Sequence, residues 1–271
     1  MLRTRILTAV ALLVALLGAL FFLPPAGWAA FGLLVLATGA YEWAGFARVR
    51  GPVRLAYVAA IAIAGAWVVY ATGLWWGESK APLLAGVYAA AVIFWCFGAT
   101  LWLRTLPSAP SPALVLVLGS IVLIPTFLAL VQLRNVGPWL LLLLMAVAWV
   151  ADIAAYFAGR AFGRRKLAPR VSPGKSWEGV IGAFAATLLY ALAWRALAPG
   201  HVPAHLGAIG LLALVWVLTG ASVIGDLFES AMKRQAGLKD SGAILPGHGG
   251  VLDRIDALTS VMPLAALVVL R

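Results

Sequence analysis

The sequence predicts an all-α, polytopic integral membrane protein with about nine transmembrane helices. Of its 271 residues, 64% are hydrophobic and only 11% are charged, whereas a soluble domain carries about 25% charged residues. The apolar residues form long runs, and a helix needs about 20 of them to cross a bilayer. These runs do not alternate apolar and polar residues, as the strands of a membrane barrel would. The pattern therefore excludes a soluble enzyme with a large core.

Nine apolar runs are the candidate membrane helices. In chain order they cover residues 6–23, 28–47, 55–75, 82–103, 113–133, 138–159, 177–197, 206–226 and 257–270. The first run follows Arg3 and Arg5, as in a signal peptide, but its eighteen residues exceed the roughly 7–15 of a cleaved signal core. We therefore expect a retained helix there. The ninth run is the shortest of the set.

The distribution of positive charge predicts the orientation of these helices. With a cytoplasmic N-terminus and nine crossings, sixteen of the twenty Lys and Arg residues fall on the cytoplasmic side. The four on the other side are Lys80, Arg134, Arg195 and Arg271. This asymmetry follows the positive-inside rule and predicts an N-in, C-out, multi-pass protein of the cell (inner, cytoplasmic) membrane. The net charge of +11 is then mostly topological, and no nucleic-acid partner is expected.

The chain divides into two regions of different character. Residues 1–135 carry few polar landmarks, and we expect them to form a scaffold of lipid-facing helices. Residues 136–271 hold seven of the nine acidic residues, next to ten Lys and Arg residues in the last two cytoplasmic connections. The seven are Asp152, Glu178, Asp226, Glu229, Asp240, Asp253 and Asp256. Carboxylates and cations gathered on one face indicate a catalytic region with its site on the cytoplasmic side.

The first polar motif is Asp152 with Tyr156, inside the sixth apolar run. The two residues are four apart and therefore share one helix face. An unpaired carboxylate inside a bilayer costs about 2.5–3.5 kcal/mol. Asp152 is thus expected to face a polar cavity, and an interhelical hydrogen bond is the structural alternative.

The second motif is RVSPGKSWEG, at residues 170–179. Ser172, or Ser176 if the boundary lies later, is expected to cap the following helix, with Glu178 in its first turn. Lys175 next to a helix N-terminus also suits an anion such as phosphate. The stretch SPGKS is not a P-loop, because the full spacing of that motif is missing and no strand is expected before it.

The third motif covers residues 225–256 and contains two carboxylate pairs. Asp226 with Glu229, and Asp253 with Asp256, each have the three-residue spacing that places them on one helix face. Hard oxygen ligands favour Mg²⁺, which keeps waters and binds through one or two carboxylates plus substrate phosphates. Four nearby cations would neutralise such phosphates. They are Lys233, Arg234, Lys239 and Arg254.

The glycines of PGHGG, residues 246–250, allow close backbone approach and an anion-binding nest. Carboxylates, cations and glycine amides together indicate metal-assisted phosphoryl or nucleotidyl transfer. Single members have simpler explanations: His248 as a structural histidine and Glu229 as a surface salt-bridge partner.

Residues 230–256 resemble the signature of the phosphatidate cytidylyltransferases, also called CDP-diacylglycerol synthases. The matching residues are Ser230, Met232, Lys233, Arg234, Lys239, Asp240, Gly242, Pro246, His248, Gly249, Gly250, Asp253, Arg254 and Asp256. Upstream residues are similar to the family's other cytoplasmic elements: Asp152, Tyr156, Ser172, Pro173, Lys175, Glu178, Gly179 and the Gly225-Asp226-Leu227 stretch. Ser176 stands where the family commonly has Thr. The motifs cover about residues 145–260, and the first half resembles the family only in hydropathy.

The resemblance implies an enzyme that transfers CMP from CTP to phosphatidic acid, giving CDP-diacylglycerol and pyrophosphate in phospholipid synthesis. It also implies membrane lipids as surroundings and a homodimer. Together with the residue chemistry it makes Asp226 and Asp253 the expected principal Mg²⁺ ligands, with one or two cations left open. Asp256 supports them, and Asp152 is a ligand or the neighbour of one.

The same resemblance assigns the remaining site residues. Phosphates would be held by Lys175, Lys233, Arg234, Lys239 and Arg254. His248 would orient phosphate or pyrophosphate. Catalytic roles thus fall on Asp226, Asp253, Asp256, Lys239, His248 and Arg254. Further substrate-binding positions are Tyr156, Ser172, Gly249 and Gly250.

Three other functions are weighed against this one. A related enzyme would act on another membrane lipid as a CTP-dependent transferase or kinase, and the signature favours cytidylyl transfer over it. An ion transporter would use Asp152 and Glu42 as intramembrane ligands, but transporters often have broken midplane helices and an internal repeat. The sequence has no such repeat, and its carboxylates cluster at one face. A noncatalytic membrane scaffold is the third.

Overall fold

The structure, a computed structural model, describes the backbone of residues 2–270 and the side chains of residues 6–270. The topological charges predicted for Arg3, Arg5 and Arg271 therefore lie outside the described side chains. The long helices, in chain order, are α1 (Leu2–Phe22), α2 (Pro25–Phe46), α3 (Gly51–Ala71), α4 (Leu83–Thr105), α5 (Pro112–Val136), α6 (Pro138–Phe162), α7 (Trp177–Leu197), α8 (Ala208–Ala236) and α9 (Leu252–Val269). Short 3-10 turns cover Leu74–Trp76 and Pro199–His201, and a π-helical stretch, Phe94–Ala99, lies within α4.

The helix content confirms the predicted all-α, polytopic membrane class. The structure is 78% helical, and among the described residues seven helices, α2 to α8, are long and apolar enough to cross a membrane. The apolar part of α1, Ile6–Phe22, is shorter. The count of nine crossings and the N-in, C-out orientation remain predictions.

Two predicted boundaries near the charged motifs are displaced. The eighth apolar run was expected to end at residue 226, but α8 continues to Ala236. The helix continues because its polar extension is still buried: Glu229 and Lys233, four residues apart, form an ion pair inside the protein. The last helix begins at Leu252 rather than at residue 257.

A small antiparallel sheet interrupts the helical chain between α6 and α7. Strand β1 (Lys166–Ala168) pairs with β2 (Ser172–Ser176). The expectation that no strand precedes SPGKS is therefore wrong, and SPGKS itself forms β2. The local cause is Glu178, whose carboxylate accepts the backbone N–H groups of Arg164 and Arg165 at 3.1 and 3.2 Å. These hydrogen bonds hold the chain against the start of α7. The stretch is still not a P-loop, because it lacks the full residue spacing of that motif.

Helix α9 lies at the centre of the bundle. Every residue from Ala257 to Ala266 is buried, so protein surrounds this helix on all faces. It packs on α2, α4, α5, α6 and α8. Hydrogen bonds tie it to two of these neighbours: Thr126 Oγ1 donates to the Thr259 carbonyl at 3.0 Å, and Ser260 Oγ donates to the Ala221 carbonyl at 2.7 Å.

Contacts at the helix ends define two ends of the bundle. At one, which we call the site end, Thr8 Oγ1 donates to the carbonyl of Pro246 at 3.0 Å, so α1 starts beside the α8–α9 loop (residues 237–251). At the other, a ring nitrogen of His205 lies 3.0 Å from the Val268 carbonyl, where α9 finishes. The polar motifs of the C-terminal half lie at the site end.

Candidate active site

A cavity of about 490 Å³ opens at the site end between α6, β2, α7, α8 and α9. Seven of the predicted site residues line it: Asp152, Tyr156, Ser172, Lys175, Asp226, Asp253 and Asp256. The fold therefore brings four carboxylates from three helices to one opening. Small residues form much of the remaining wall: Ala151, Ala155 and Gly159 on α6, and Gly179 on α7.

The wall formed by α6 and α7 depends on close helix approach. A Cβ atom added at Gly179 would lie 2.8 Å from the carbonyl oxygen of Ala155, so a larger residue would push the two helices apart. At the same place Ser176 Oγ accepts the N–H of Gly179 at 3.2 Å and caps α7. Ser176, rather than Ser172, is thus the cap, and Ser172 lies in β2 at the cavity wall.

Lys175 reaches across the cavity from the end of β2 to α8. Its ammonium group forms an ion pair with Asp226, and the two side chains are 26% and 23% exposed. Ser230, one turn later on α8, donates from Oγ to Asp226 Oδ1 at 3.3 Å. Both members of the pair are accessible from the cavity, so each can exchange its partner for a ligand.

The carboxylates around Asp226 are close enough to interact electrostatically. Asp152 and Asp256 each interact with Asp226, and Asp256 also interacts with Glu229. Within the described side chains, no Lys, Arg or His lies within ion-pair distance of Asp152 or Asp256. The carboxyl groups of Asp152 and Asp256 therefore have no protein cation in direct contact among these side chains.

Behind the cavity, Lys233 bridges two buried carboxylates. Its Nζ donates to Asp253 Oδ1 at 2.6 Å and lies 3.3 Å from Glu229 Oε1. The side chains of Lys233 and Asp253 are only 11% and 7% exposed. Lys233, predicted to hold a substrate phosphate, is placed between these carboxylates and not on the cavity wall.

Asp253 is held by further protein donors. Its Oδ2 accepts the N–H groups of Ser241 and Gly250, each at 2.9 Å, and lies 3.0 Å from Ser241 Oγ. With Lys233 on Oδ1, both carboxylate oxygens have partners. Asp253 thus lines the cavity and fastens the α8–α9 loop to the start of α9.

Other predicted residues are not on the cavity wall of the described structure. They are Lys233, Arg234, Lys239, His248, Gly249, Gly250 and Arg254. Arg254 Nη2 donates to the His248 carbonyl at 2.8 Å, which ties the loop to the first turn of α9. Arg234 and Lys239 are exposed. All seven lie in or next to the α8–α9 loop, at the same end of the bundle as the cavity.

Three contributors to the site were not among the predicted site residues. Arg160 lines the cavity and donates from Nη1 to the Tyr156 hydroxyl at 3.3 Å; its four-residue spacing from Tyr156 was the available signal. Ser241 contacts Asp253 from within the α8–α9 loop. Glu42, on α2, contacts Ser241 Oγ at 3.0 Å, and its signal was a carboxylate in an otherwise apolar run.

The donor chemistry of the cavity fits Mg²⁺ in its usual protein setting. In the part of the chain described, no three His, Cys, Asp or Glu side chains form a ready-made metal cage. Mg²⁺ does not require one, because it binds through one or two carboxylates, waters and substrate phosphates. The carboxyl groups of Asp152, Asp226 and Asp256 line the cavity and are oxygen ligands of the kind that such an ion prefers.

Comparison with known proteins extends the similarity beyond the motifs. The model of the cytidylyltransferase family matches residues 3–270. The chain is 41% identical to the phosphatidate cytidylyltransferase of Pseudomonas aeruginosa, over 98% of this chain and 96% of that protein. It is 36% identical to that of Haemophilus influenzae, over 97% and 96%. The similarity therefore includes the first half, where the motif comparison found a resemblance in hydropathy alone.

Proposed function

The chain belongs to the cytidylyltransferase family, and from this premise we propose that it transfers CMP from CTP to phosphatidic acid, forming CDP-diacylglycerol and pyrophosphate. The observation that carries the proposal is the cavity at the site end. It combines an accessible cation, Lys175, with a group of carboxylates at the ends of membrane helices. This combination, in this position, suits an enzyme that joins a lipid phosphate to a nucleotide.

The reaction joins two anions, and their repulsion is its main obstacle. A non-bridging oxygen of the phosphatidic acid phosphate attacks the α-phosphorus of CTP. The bond from that phosphorus to the oxygen bridging to the β-phosphate breaks, and pyrophosphate leaves with the bond's electron pair. A phosphate monoester with a second pKa of about 6 is largely dianionic at pH 7, so no strong general base is required. Positioning and charge stabilisation supply the catalysis.

Lys175 supports phosphate binding by exchanging its partner. In the structure its ammonium group contacts Asp226 at the cavity wall. A substrate phosphate entering the cavity would take over this ammonium group through a charge-assisted hydrogen bond. Ser172 and Tyr156, which both line the cavity, would orient the phosphates, and Arg160 would add a second positive charge.

The carboxylates that line the cavity support a metal-binding role. Asp226, with Asp152 or Asp256, would hold Mg²⁺, which when bound neutralises phosphate charge and polarises the α-phosphoryl oxygen. Asp253 was expected to be a principal ligand. Its side chain is only 7% exposed, and its oxygens accept from Lys233 and from the N–H groups of Ser241 and Gly250, so we assign it the task of holding the α8–α9 loop beside the cavity. The side chain of Asp226 is 23% exposed, and its ion pair with Lys175 faces the cavity.

The position of the cavity suits a lipid substrate. It opens beside α6, whose outward side chains Ile153 and Phe157 are apolar and exposed on the helix surface. The acyl chains of phosphatidic acid would remain in the bilayer while CTP arrives from water. We place the site end in the cytoplasm, in a multi-pass protein of the cell membrane with N-in, C-out topology, and we retain the homodimer as a proposal.

Two labels of CTP test the proposed reaction. Purified protein in mixed micelles of detergent and phosphatidic acid is incubated with Mg²⁺ and with CTP that is labelled at either the α- or the γ-phosphorus. We expect the α-label in the lipid fraction and the γ-label in pyrophosphate. Transfer of the γ-label to lipid would instead identify a lipid kinase, and absence of lipid label would overturn the proposal. Chelation with EDTA should abolish transfer, and added Mg²⁺ should restore it.

A further inference from the structure

Glu42 is a buried carboxylate of the N-terminal half that faces the C-terminal half. Only 1% of the surface of Glu42 is exposed. Its Oε1 accepts the N–H of Val251 at 2.9 Å, and its Oε2 accepts the N–H of Leu252 at 2.8 Å. Ser241 Oγ donates to Oε2 at 3.0 Å. Glu42 therefore binds both ends of the segment that carries the loop motif, although it lies 210 residues from Leu252 in sequence.

The start of α9 depends on this carboxylate for capping. The residue before the helix is Val251, whose side chain cannot accept a hydrogen bond, and no side-chain cap comes from that position. The first amides of a helix need acceptors, and a negative charge there interacts favourably with the helix dipole. Glu42 supplies the acceptor and the charge from a different helix, α2.

Ser241 connects Glu42 to Asp253 on the cavity wall. Its hydroxyl oxygen lies 3.0 Å from Glu42 Oε2 and 3.0 Å from Asp253 Oδ2. A hydroxyl has one hydrogen, so it donates to one carboxylate at a time. The two carboxylates also accept backbone N–H groups: Asp253 accepts those of Ser241 and Gly250, and Glu42 accepts those of Val251 and Leu252. The loop backbone is thus held between two acidic side chains.

The backbone of the loop packs closely against Glu42 at two glycines. A Cβ atom added at Gly242 would lie 2.6 Å from Glu42 Oε1, and one added at Gly250 would lie 2.6 Å from Oε2. Two glycines of the motif therefore let the backbone approach this carboxylate directly. Their small size is explained by Glu42 and, at Gly250, also by Ser241 Oγ, which would lie even closer to the added Cβ.

Glu42 is itself anchored by its neighbours in sequence. Arg54 donates from Nε and Nη2 to the Tyr41 carbonyl at 2.9 and 2.6 Å, and its guanidinium stacks 3.5 Å from the centre of the Tyr41 ring. On the other side, Trp43 Nε1 donates to the Val115 carbonyl at 2.7 Å. The carboxylate is thus presented by a rigid part of the N-terminal half.

We propose that Glu42 is a positioning residue of the active site, which sets the place of Asp253 by holding Ser241 and the first amides of α9. The inference rests on the proposed function and deepens it. It assigns to the N-terminal half a direct part in organising the site, in addition to its part as a scaffold.

The substitution Glu42→Gln tests the proposal, with Glu78→Gln as the matched control. The amide keeps the shape of Glu42 but loses the charge and presents an NH₂ group to backbone donors, whereas Glu78 is exposed. We expect kcat for CDP-diacylglycerol formation to fall by about 10- to 100-fold, as small misplacements of catalytic groups do, with the KM for CTP changed by less than about threefold. Glu78→Gln should match wild type, and Glu42→Asp, which keeps the charge, should be intermediate.

Hydrogen exchange provides a readout that does not need activity. In Glu42→Gln the amides of Gly250, Val251 and Leu252 should exchange faster, while amides in the middle of α9 should stay protected. A wild-type kcat per folded molecule, or unchanged exchange at these three amides, would overturn the inference. A wild-type protein that makes no CDP-diacylglycerol would instead overturn the proposed function.

Ser241→Ala provides the second variant and the coupling test. It removes the hydroxyl between the two carboxylates and should lower kcat by about tenfold. Combined with Glu42→Gln, its effect should be smaller than the product of the two single effects, because both changes break one network. Combined with Glu78→Gln, the effects should multiply. If Glu42→Gln does not fold, a wild-type kcat for Ser241→Ala overturns the inference, and a reduced kcat with an unchanged KM supports it.

Discussion

At the scale of single residues, the site contains two ion pairs that differ in burial and therefore in role. Lys175 and Asp226 are each about one quarter exposed and face the cavity. Lys233 and Asp253 are almost fully buried, and Lys233 also contacts Glu229. An exposed pair is weak and exchangeable, whereas breaking a buried pair leaves an uncompensated charge. The first pair suits ligand binding, and the second holds the structure.

Asp226→Asn should remove activity without unfolding the protein. The amide keeps the size of the side chain but loses the charge that a cation requires, so we expect kcat to fall at least about 100-fold. The radiolabelled-CTP assay measures this loss, and thermal unfolding in detergent should change by only a few degrees. Substantial activity in a folded Asp226→Asn protein would contradict the proposed metal-binding role of this residue.

Lys233→Met should destabilise the protein. Without the ammonium group, Glu229 and Asp253 face each other inside the bundle, and loss of one partner of a buried ion pair costs about 3–5 kcal/mol. Thermal or denaturant unfolding in detergent measures the change. Lys239→Met is the matched control, since Lys239 is exposed and such a surface change stays within about 0.5 kcal/mol. Equal stability of the two variants would contradict a structural role of Lys233.

At the scale of elements, the cavity is built where helices begin and end. Strand β2 delivers Lys175 to the start of α7, α8 carries Asp226 past its apolar part, and the α8–α9 loop places Asp253. Helix starts expose amides that need acceptors. Ser176 provides an acceptor for the start of α7, and Glu42, from α2, provides one for the start of α9. One of these caps, Ser176, also lines the cavity, and the other, Glu42, lies outside its wall.

Ser176→Ala should weaken the start of α7 more than Ser172→Ala does. Removal of an N-cap hydroxyl costs about 1 kcal/mol, whereas Ser172 lies in β2 and does not cap the helix. The two variants are compared by thermal unfolding under the same detergent conditions. A larger destabilisation by Ser172→Ala would mean that the cap is assigned to the wrong serine.

At the scale of the whole molecule, the two halves meet at the central helix α9. Helices α2, α4 and α5 from the N-terminal half and α6 and α8 from the C-terminal half all pack on it. The aromatic side chains of Trp43 and Trp95 also contact Phe228 of α8, with ring centres 6.4 and 5.5 Å apart. The division at residue 135 is therefore one of polar content rather than of separate packing.

Cysteine labelling should establish the orientation of the bundle. Cys96 is the one cysteine of the sequence, so Cys96→Ala provides a background for single substitutions. In intact cells, a membrane-impermeant maleimide should react with Glu78→Cys and not with Arg165→Cys, because the second lies at the site end. Permeabilised cells should label both. Labelling of Arg165→Cys in intact cells would contradict a cytoplasmic site.

The sequence by itself determined the class of the protein, the approximate course of its helices and the gathering of acidic residues near one end. These features depend on composition and on hydrophobic runs, which are local properties of the chain. The loop motif was also readable, because most of its residues lie close together between residues 230 and 256. Asp152, Tyr156 and Lys175 were found for a similar reason, since each is a polar residue in an unusual local setting.

Only the tertiary structure decided which of these residues share the cavity and which hold its frame. Lys233 looked like a phosphate ligand, but burial places it between Glu229 and Asp253. Glu42 looked like an isolated charge in an apolar helix, and the fold places it on the first amides of α9. The physical reason is that a polar group takes its role from the partners within about 3 Å, and packing brings those partners from distant parts of the chain.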